Sequence, residues 1–322
     1  MTLRQQWAAF ASSIVLPTKD AGLVRFRPWG TQRYLIERIF QALAAGKREL
    51  LLVKPRQVGM STVLLIFTAF WLLRHRGLQG AIVTESDKTK EYHRGTLTKL
   101  LTSIPAKWSY PVRSSNRYGI QWATGSRLVY EVAGKRKNSG LGKGRGLAYL
   151  FADEVSEWGD PEGVDSLRAT LSDKHPAALA FWGSTAQGYN FFWEMYQEFA
   201  QAVTLEAIFI PWWRHEAYAI DAGPAYATYW DGALNADEVA WQEQITRRYQ
   251  VTLSPAQWAW YRWRLHEKQR SDLRLMHQNF PTLPEHAFQA SATGGFIDDA
   301  LAYQYRDRAV RATPPQTYRY QF

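Results

Sequence analysis

The sequence predicts an α/β fold in which a mainly parallel sheet is covered by helices on both faces, with a small helical subdomain appended. Three observations carry that expectation. Short apolar runs, "ELLLV" (49–53), "GAIVTES" (80–86), "LAYLFADE" (147–154), "AALAFWGST" (177–185) and "TLEAIFIPW" (204–212), alternate with helical stretches, the pattern of strands buried on both faces. The nine residues "KPRQVGMST" (54–62) lie between "ELLLV" and "VLLIFTAFWLL", which reads as strand, tight loop and helix. After residue 212 the alternation stops, and the chain turns helical and charged, as in "SPAQWAWYRWRLHEKQRSDLRLMHQ".

The elements follow in order. Residues 1–30 are mixed and basic and close on "FRPWG", a turn signal. "TQRYLIERIFQALAAGKR" has apolar residues at helical spacing, with Gly46 as C-cap. "DKTKEYHRGTLTKLLTSI" is a polar helix after the second strand. Residues 105–146 read as an insertion, in which "GIQWATGSRLVYEVAG" alternates like a hairpin and "GKRKNSGLGKGRG" is a basic, Gly-rich loop. The expected division is an N-terminal arm over 1–24, a core over 25–210, a helical lid over 211–290 and a linker over 291–322.

Bulk composition bounds the function. The 322 residues suffice for one large α/β domain with an appendage, and the net charge of +10 with a pI near 9.6 favours polyanionic partners. There is no cysteine, hence no disulfide framework and no cysteine-based zinc site. Most of the 15 tryptophans read as core filling. The apolar run from Val63 to Leu73 is too short to span a bilayer, and no membrane partner is expected.

The loop 54–62 holds the candidate nucleotide-binding residues Lys54, Pro55, Arg56, Gln57, Val58, Gly59, Met60, Ser61 and Thr62. The usual phosphate-binding pattern wants Gly where Lys54 stands and Lys where Met60 stands. Gly59 supplies close backbone approach, Ser61 a hydroxyl for Mg2+ and Thr62 a second hydroxyl. Lys54 and Arg56 can reach the phosphates from the other end of the loop. An ordinary strand-to-helix turn containing Gly and Ser is an equal reading of this stretch alone. "LAYLFADE" ends in Asp153, which can hold Mg2+ through water, and Glu154, which can polarise an attacking water. The pair is placed on a strand neighbouring that of the loop. In "AFWGSTAQGYNFFWEMY", Ser184 and Thr185 can sense a γ-phosphate, or simply cap a helix. Gln32, with Trp29 or Tyr34 packing nearby, can read adenine through its amide, or be surface.

In this order and spacing the elements resemble the large subunit of the viral (tailed bacteriophage) DNA-packaging terminase. The likeness rests on Gln32, on Arg56, Gly59, Met60 and Ser61 as R-x-x-G-x-[ST], on Asp153–Glu154, on Ser184, Thr185 and Gly188, and on "HQNFPTLPEHAFQASATGGF". It implies a P-loop NTPase fold (RecA/helicase-like, ASCE-type), ATP and Mg2+ as cofactors, and ATP hydrolysis that drives double-stranded DNA into a procapsid. Some members carry the phosphate lysine at the start of the loop, where Lys54 stands. In this scheme Lys54 and Arg56 clamp phosphates, Ser61 and Asp153 hold Mg2+, Glu154 orients water, and Ser184 with Thr185 couples hydrolysis to DNA movement. The implied partners are double-stranded DNA, further copies in a ring on the capsid portal, and a terminase small subunit. The implied location is the host cytoplasm during virus assembly, not the mature virion. Arg145 and Arg94 are the candidate arginine fingers, and Lys135, Arg136, Lys137 and Lys143 the candidate DNA contacts. Asp298 and Asp299 are the only paired acids near the end, so no complete nuclease centre is expected in this chain. A helicase-like translocase and a non-catalytic DNA-binding or capsid-adaptor protein with a degenerate loop are the rival readings; Met60 favours the latter.

Overall fold

A computed structural model describes residues 1–18, 22–133, 141, 146–159 and 161–289. The chain opens with α1 (Leu3–Ala11), capped by Thr2, then a small antiparallel hairpin of β1 (Val15–Thr18) and β2 (Gly22–Arg25). Next come α2 (Gly30–Ala44), β3 (Glu49–Val53), α3 (Met60–Arg74), β4 (Gln79–Thr84) and α4 (Asp87–Ser103). Three strands follow: β5 (Val112–Asn116), β6 (Gly119–Trp122) and β7 (Arg127–Val132). The remaining core elements are β8 (Tyr149–Asp153), α5 (Pro161–Arg168), β9 (Leu179–Ser184), α6 (Phe191–Gln201) and β10 (Leu205–Phe209).

One eight-stranded sheet has the order β10-β3-β9-β8-β4-β7-β6-β5, parallel from β10 to β7 and antiparallel at the β6 and β5 edge. Two sequence expectations change here. The carboxylate strand β8 is not beside the loop strand β3, because β9 lies between them. The hairpin expected as an insertion is continuous with the main sheet, because β7 pairs in parallel register with β4.

β3, β8 and β9 are apolar along their middles and, Glu49 apart, buried throughout, because both faces are covered. On one face α3 buries twelve of its fifteen residues, from Met60 to Leu73, and so shows no polar side. Its polar Thr68 is satisfied by the Leu64 carbonyl and the Tyr149 hydroxyl, each at 2.8 Å. Trp7 and Phe10 of α1 pack on Phe67 and Phe70, which joins the first turns of the chain to this core. On the other face Phe192, Met195 and Phe199 of α6 and Val164 and Leu167 of α5 cover Leu51, Leu150 and Trp182.

Beyond β10, the helices α7 (Gly223–Tyr229), α8 (Ala236–Tyr249), α9 (Pro255–Trp263), α10 (Leu273–Asn279) and α11 (Pro284–Ala287) enclose a separate apolar cluster. Trp212, Trp258, Trp260, Tyr261 and Phe280 form its centre, so most of the tryptophan excess is packing. Among the described residues, no helix is long and apolar enough to cross a membrane.

Candidate nucleotide site

The parallel strands β3, β9 and β8 end side by side, and their C-terminal ends bring the candidate residues together, as open α/β sheets do. The loop after β3 starts at Lys54, whose backbone N–H donates to the Ser184 carbonyl at 3.0 Å. Its buried ammonium donates to Glu154 Oε1 at 2.7 Å and lies 3.1 Å from Asp153 Oδ1. Burial alone would lower the lysine pKa, but the two carboxylates outweigh it and hold Lys54 above its ordinary range. Burial likewise pushes Asp153 up, and Lys54, His93 and Ser61 together pull it well below the usual carboxylate range. Ser61 Oγ donates to Asp153 Oδ2 at 2.9 Å.

The loop bends through two left-handed residues, Gln57 (φ 64°) and Gly59 (φ 67°). A side chain at Gly59 is disfavoured twice, by its φ and by Gln32, whose Nε2 would lie 2.5 Å from an added Cβ and would have to shift. Gln32 is buried. Its Nε2 donates to the Gly59 carbonyl at 3.1 Å and its Oε1 accepts the Trp29 N–H at 3.0 Å. The structure therefore shows the Gln32 amide bracing the loop. Trp29 is 44% exposed at the start of α2, and its ring lies 4.7 Å from that of His215. Pro55 and Val58 are buried, Arg56 and Gln57 are exposed, and Thr62 is half-buried. Met60 is packed in the apolar core with Val58 and Val63, in keeping with a loop whose cation comes from elsewhere.

Glu154 follows β8 in a left-handed conformation (φ 52°, ψ 43°), a strained setting for a non-glycine residue. Its Oε2 faces the Thr185 N–H and the Ser184 hydroxyl, each at 3.4 Å. Ser184 Oγ also accepts the Ser156 N–H at 3.1 Å, so the end of β9 is wired to the turn after β8. The helical subdomain touches the loop directly. The Arg56 N–H donates to the Asn279 carbonyl at 2.9 Å, and the Tyr218 hydroxyl donates to the Arg56 carbonyl at 3.4 Å.

Among the described residues, no group of three or more His, Cys, Asp or Glu side chains could cage a metal ion. The donor set suits a different arrangement: one hydroxyl and one ionised carboxylate for a Mg2+ that keeps waters and phosphate oxygens as its other ligands. Ser61 and Asp153 fit that role. Of the candidate fingers, Arg94 is half-buried on α4 and paired with Glu91 at 2.7 Å. Arg145, Lys135, Arg136, Lys137 and Lys143 lie outside the described residues, as do Asp298 and Asp299.

No protein-family model and no curated protein matches the chain. Among solved structures it is similar to the large terminase of bacteriophage HK97, with a TM-score of 0.57 and 10% identity over 88% of this chain and 55% of that one. The fold is that of a phage large terminase. It is also similar to the large terminase ATPase domain of Thermus phage P74-26, at 17% identity over 75% of this chain and 91% of that one, TM-score 0.48. A third similar structure is the large terminase of a thermophilic bacteriophage in complex with ATP-γ-S, at 13% identity over 59% of this chain and 45% of that one, TM-score 0.41. In this chain β9 is inserted between the loop strand β3 and the carboxylate strand β8.

One residue that sequence reasoning passed over belongs to the site. His93 on α4 is fully buried, and its Nε2 lies 2.8 Å from Asp153 Oδ2. Its Nδ1 has no hydrogen-bond partner among the described residues. The signal available was weak: a lone histidine in a polar helix whose contact to β8 is tertiary.

Proposed function

We propose that this chain is the ATPase motor part of a viral terminase, hydrolysing ATP to move double-stranded DNA into a procapsid. The observation that carries the reading is the convergence of Lys54, Ser61, Asp153 and Glu154 at the strand ends of a terminase fold. Residues 25–210 form the ATPase core and residues 211–290 the lid in this reading, with the lid's Asn279 and Tyr218 resting on the phosphate loop.

Each residue then has a task. The Lys54 ammonium leaves the carboxylates to meet the β- and γ-phosphates, and the exposed Arg56 adds a second cation. Gly59 and the first N–H groups of α3 cradle the phosphate. Ser61 and Asp153 would hold Mg2+, and the ion would supply positive charge to the phosphate oxygens. Glu154, freed of Lys54, accepts a hydrogen bond from the attacking water and aligns it on the γ-phosphorus. Ser184 and Thr185, both within reach of Glu154, register loss of the γ-phosphate and pass it to β9. Trp29 offers a ring on which the adenine can stack, with Gln32 holding the loop beside it. Arg94, or Arg145, supplies the finger to a neighbouring copy in a ring on the portal, and a small subunit delivers the DNA.

Mg2+-dependent ATP hydrolysis and nucleotide binding by the purified chain test this, beside Glu154→Gln and Lys54→Ala. Glu154→Gln is expected to bind ATP and lose turnover by about 10²-fold or more, the scale of a lost general-base contribution. Unchanged turnover in Glu154→Gln removes the catalytic assignment. No ATP binding by the parent chain, even at high protein concentration with DNA, favours the adaptor reading.

A further inference from the structure

From Tyr92 to Tyr130 the chain has no acidic residue, yet carries Arg94, Lys99, Lys107, Arg113, Arg117 and Arg127. Three of these lie on the edge formed by β5, β6 and β7. All five residues of β5 are exposed, and the strand ends the sheet with one side unpaired. Cross-strand register sets Ser114, Gln121 and Arg127 in one exposed row, while Ile120 and Leu128 on the opposite face are buried in the core. A shallow groove of about 450 Å³ is lined by Ser114, Asn116, Tyr118, Gln121 and Arg127. Arg117 stacks its guanidinium 4.7 Å from the Tyr118 ring centroid, at the turn between β5 and β6.

The charges on this edge are unanswered. Among the described residues, no carboxylate pairs with Arg113, Arg117, Arg127 or Lys107, whereas Arg4, Arg38, Arg168, Arg248 and Arg262 each face one. A bulge between Val112 and Ser114 makes Arg113 the unpaired extra residue of β5 and breaks the edge as a template for another strand. That argues against a second chain adding to the sheet here. The exposed groups are guanidinium, hydroxyl and amide, which suit phosphate oxygens at any sequence. Among the described residues, Tyr118 is the one exposed ring lining the groove, too few for a single strand that is held by stacking successive bases.

We propose that the β5–β6–β7 edge, through Arg113, Arg117 and Arg127, is a sequence-independent docking surface for the phosphate backbone of duplex DNA. It rests on the motor reading above and assigns the DNA contact to the far end of the sheet from β3. The assignment needs none of the lysines and arginines of the basic loop, which lie outside the described residues.

The test is fluorescence anisotropy of a labelled mixed-sequence duplex with the full chain across a potassium chloride series, beside the triple variant Arg113→Ala, Arg117→Ala and Arg127→Ala. Each lost phosphate contact reduces the log–log salt slope by about 0.9, so the triple variant is expected to lower it by about 2 to 3 and to weaken binding at least about tenfold at low salt. The triple Arg→Lys variant is expected to keep the slope, which separates charge from folding. Equal affinity and slope in the parent and the alanine variant overturn the proposal, as does absence of duplex binding by the parent. Tighter binding of single strands, lost in the same variant, overturns the duplex assignment. ATP turnover without DNA is read in parallel: its loss in parent and variant alike counts against the motor reading and leaves the docking result standing.

Discussion

Lys54 donates to Glu154 Oε1 at 2.7 Å while lying 3.1 Å from Asp153 Oδ1, so one buried ammonium is shared by both acids of the site. The loop lysine and the strand-end acids are thus a single electrostatic unit before any phosphate arrives. In the proposed mechanism, nucleotide binding draws Lys54 off the carboxylates, and that exchange couples occupation of the loop to the freeing of Glu154 for water.

The first prediction concerns that unit. Lys54→Ala leaves two acids facing each other with no cation between them, and breaking a buried pair on one side costs about 3–5 kcal/mol. The variant is expected to unfold at lower denaturant and to lose MgATP turnover, whereas Lys54→Ala with Glu154→Gln recovers part of the stability and none of the activity. Urea melts of the three proteins measure this. A single variant as stable as the parent contradicts the pairing.

His93 gives a second prediction. It supplies one of two hydrogen bonds to Asp153 Oδ2, the other coming from Ser61. His93→Ala is expected to cost about 1–3 kcal/mol, the penalty of a buried acceptor left short of a partner together with a cavity. It is also expected to raise the Mg2+ concentration needed for half-maximal binding of a fluorescent ATP analogue, because the carboxylate is no longer held in one orientation. Stability lost without a change in the Mg2+ dependence would make His93 a packing residue only.

The strands were readable because "ELLLV", "LAYLFADE" and "AALAFWGST" are apolar on both faces, and the strand-end positions of Lys54, Asp153 and Ser184 followed from them. Strand order was not readable. Nothing local tells β9 to insert between β3 and β8, since all three are equally apolar and the choice is made by crossover packing. The alternation of "RLVYEV" gave a hairpin correctly but says nothing of the parallel partner β4 on its other side. Gln32 shows the same limit within the site. Its residue type allows base reading and loop bracing alike, and the bracing contact is visible only in the tertiary distance to Gly59. His93 reaches Asp153 across sixty residues of chain, a contact that no spacing rule reports.

Gly59 supplies a third prediction. Gly59→Ala must place a Cβ 2.5 Å from Gln32 Nε2 and 3.2 Å from the Trp29 ring, with the backbone at φ +67°. The left-handed backbone costs about 1–2 kcal/mol for a non-glycine residue, and the clash adds to it. Gln32→Ala opens the space but cannot relieve the backbone. The double variant is therefore expected to be more stable than the sum of the two single losses predicts, with a coupling of about 0.5–2 kcal/mol in a thermal-melt cycle. Strict additivity would place the Gln32 amide away from the loop.

The last prediction is a pH dependence seated in the helical subdomain. His277 and His286 stack face to face at 4.0 Å between ring centroids, beside Trp241. Burial lowers the His286 pKa to about 3, with His277 and Arg248 adding repulsion, and burial lowers that of His277 as well. A histidine with a depressed folded pKa contributes stability that is present above its unfolded value of about 6.5 and lost as pH falls below it, because the unfolded chain then binds the extra proton. Each such group gives a slope of about 1.4 kcal/mol per pH unit once well below that value. Urea midpoints are expected to hold from pH 8 to pH 7 and to fall progressively from pH 6 to pH 4. His286→Phe removes one titrating group and fills the same stack, so its profile is expected to be shallower by about one proton over that range. An unchanged slope in His286→Phe would assign the acid sensitivity to another buried base, of which His75, lowered to about 4 by burial, is the next to test.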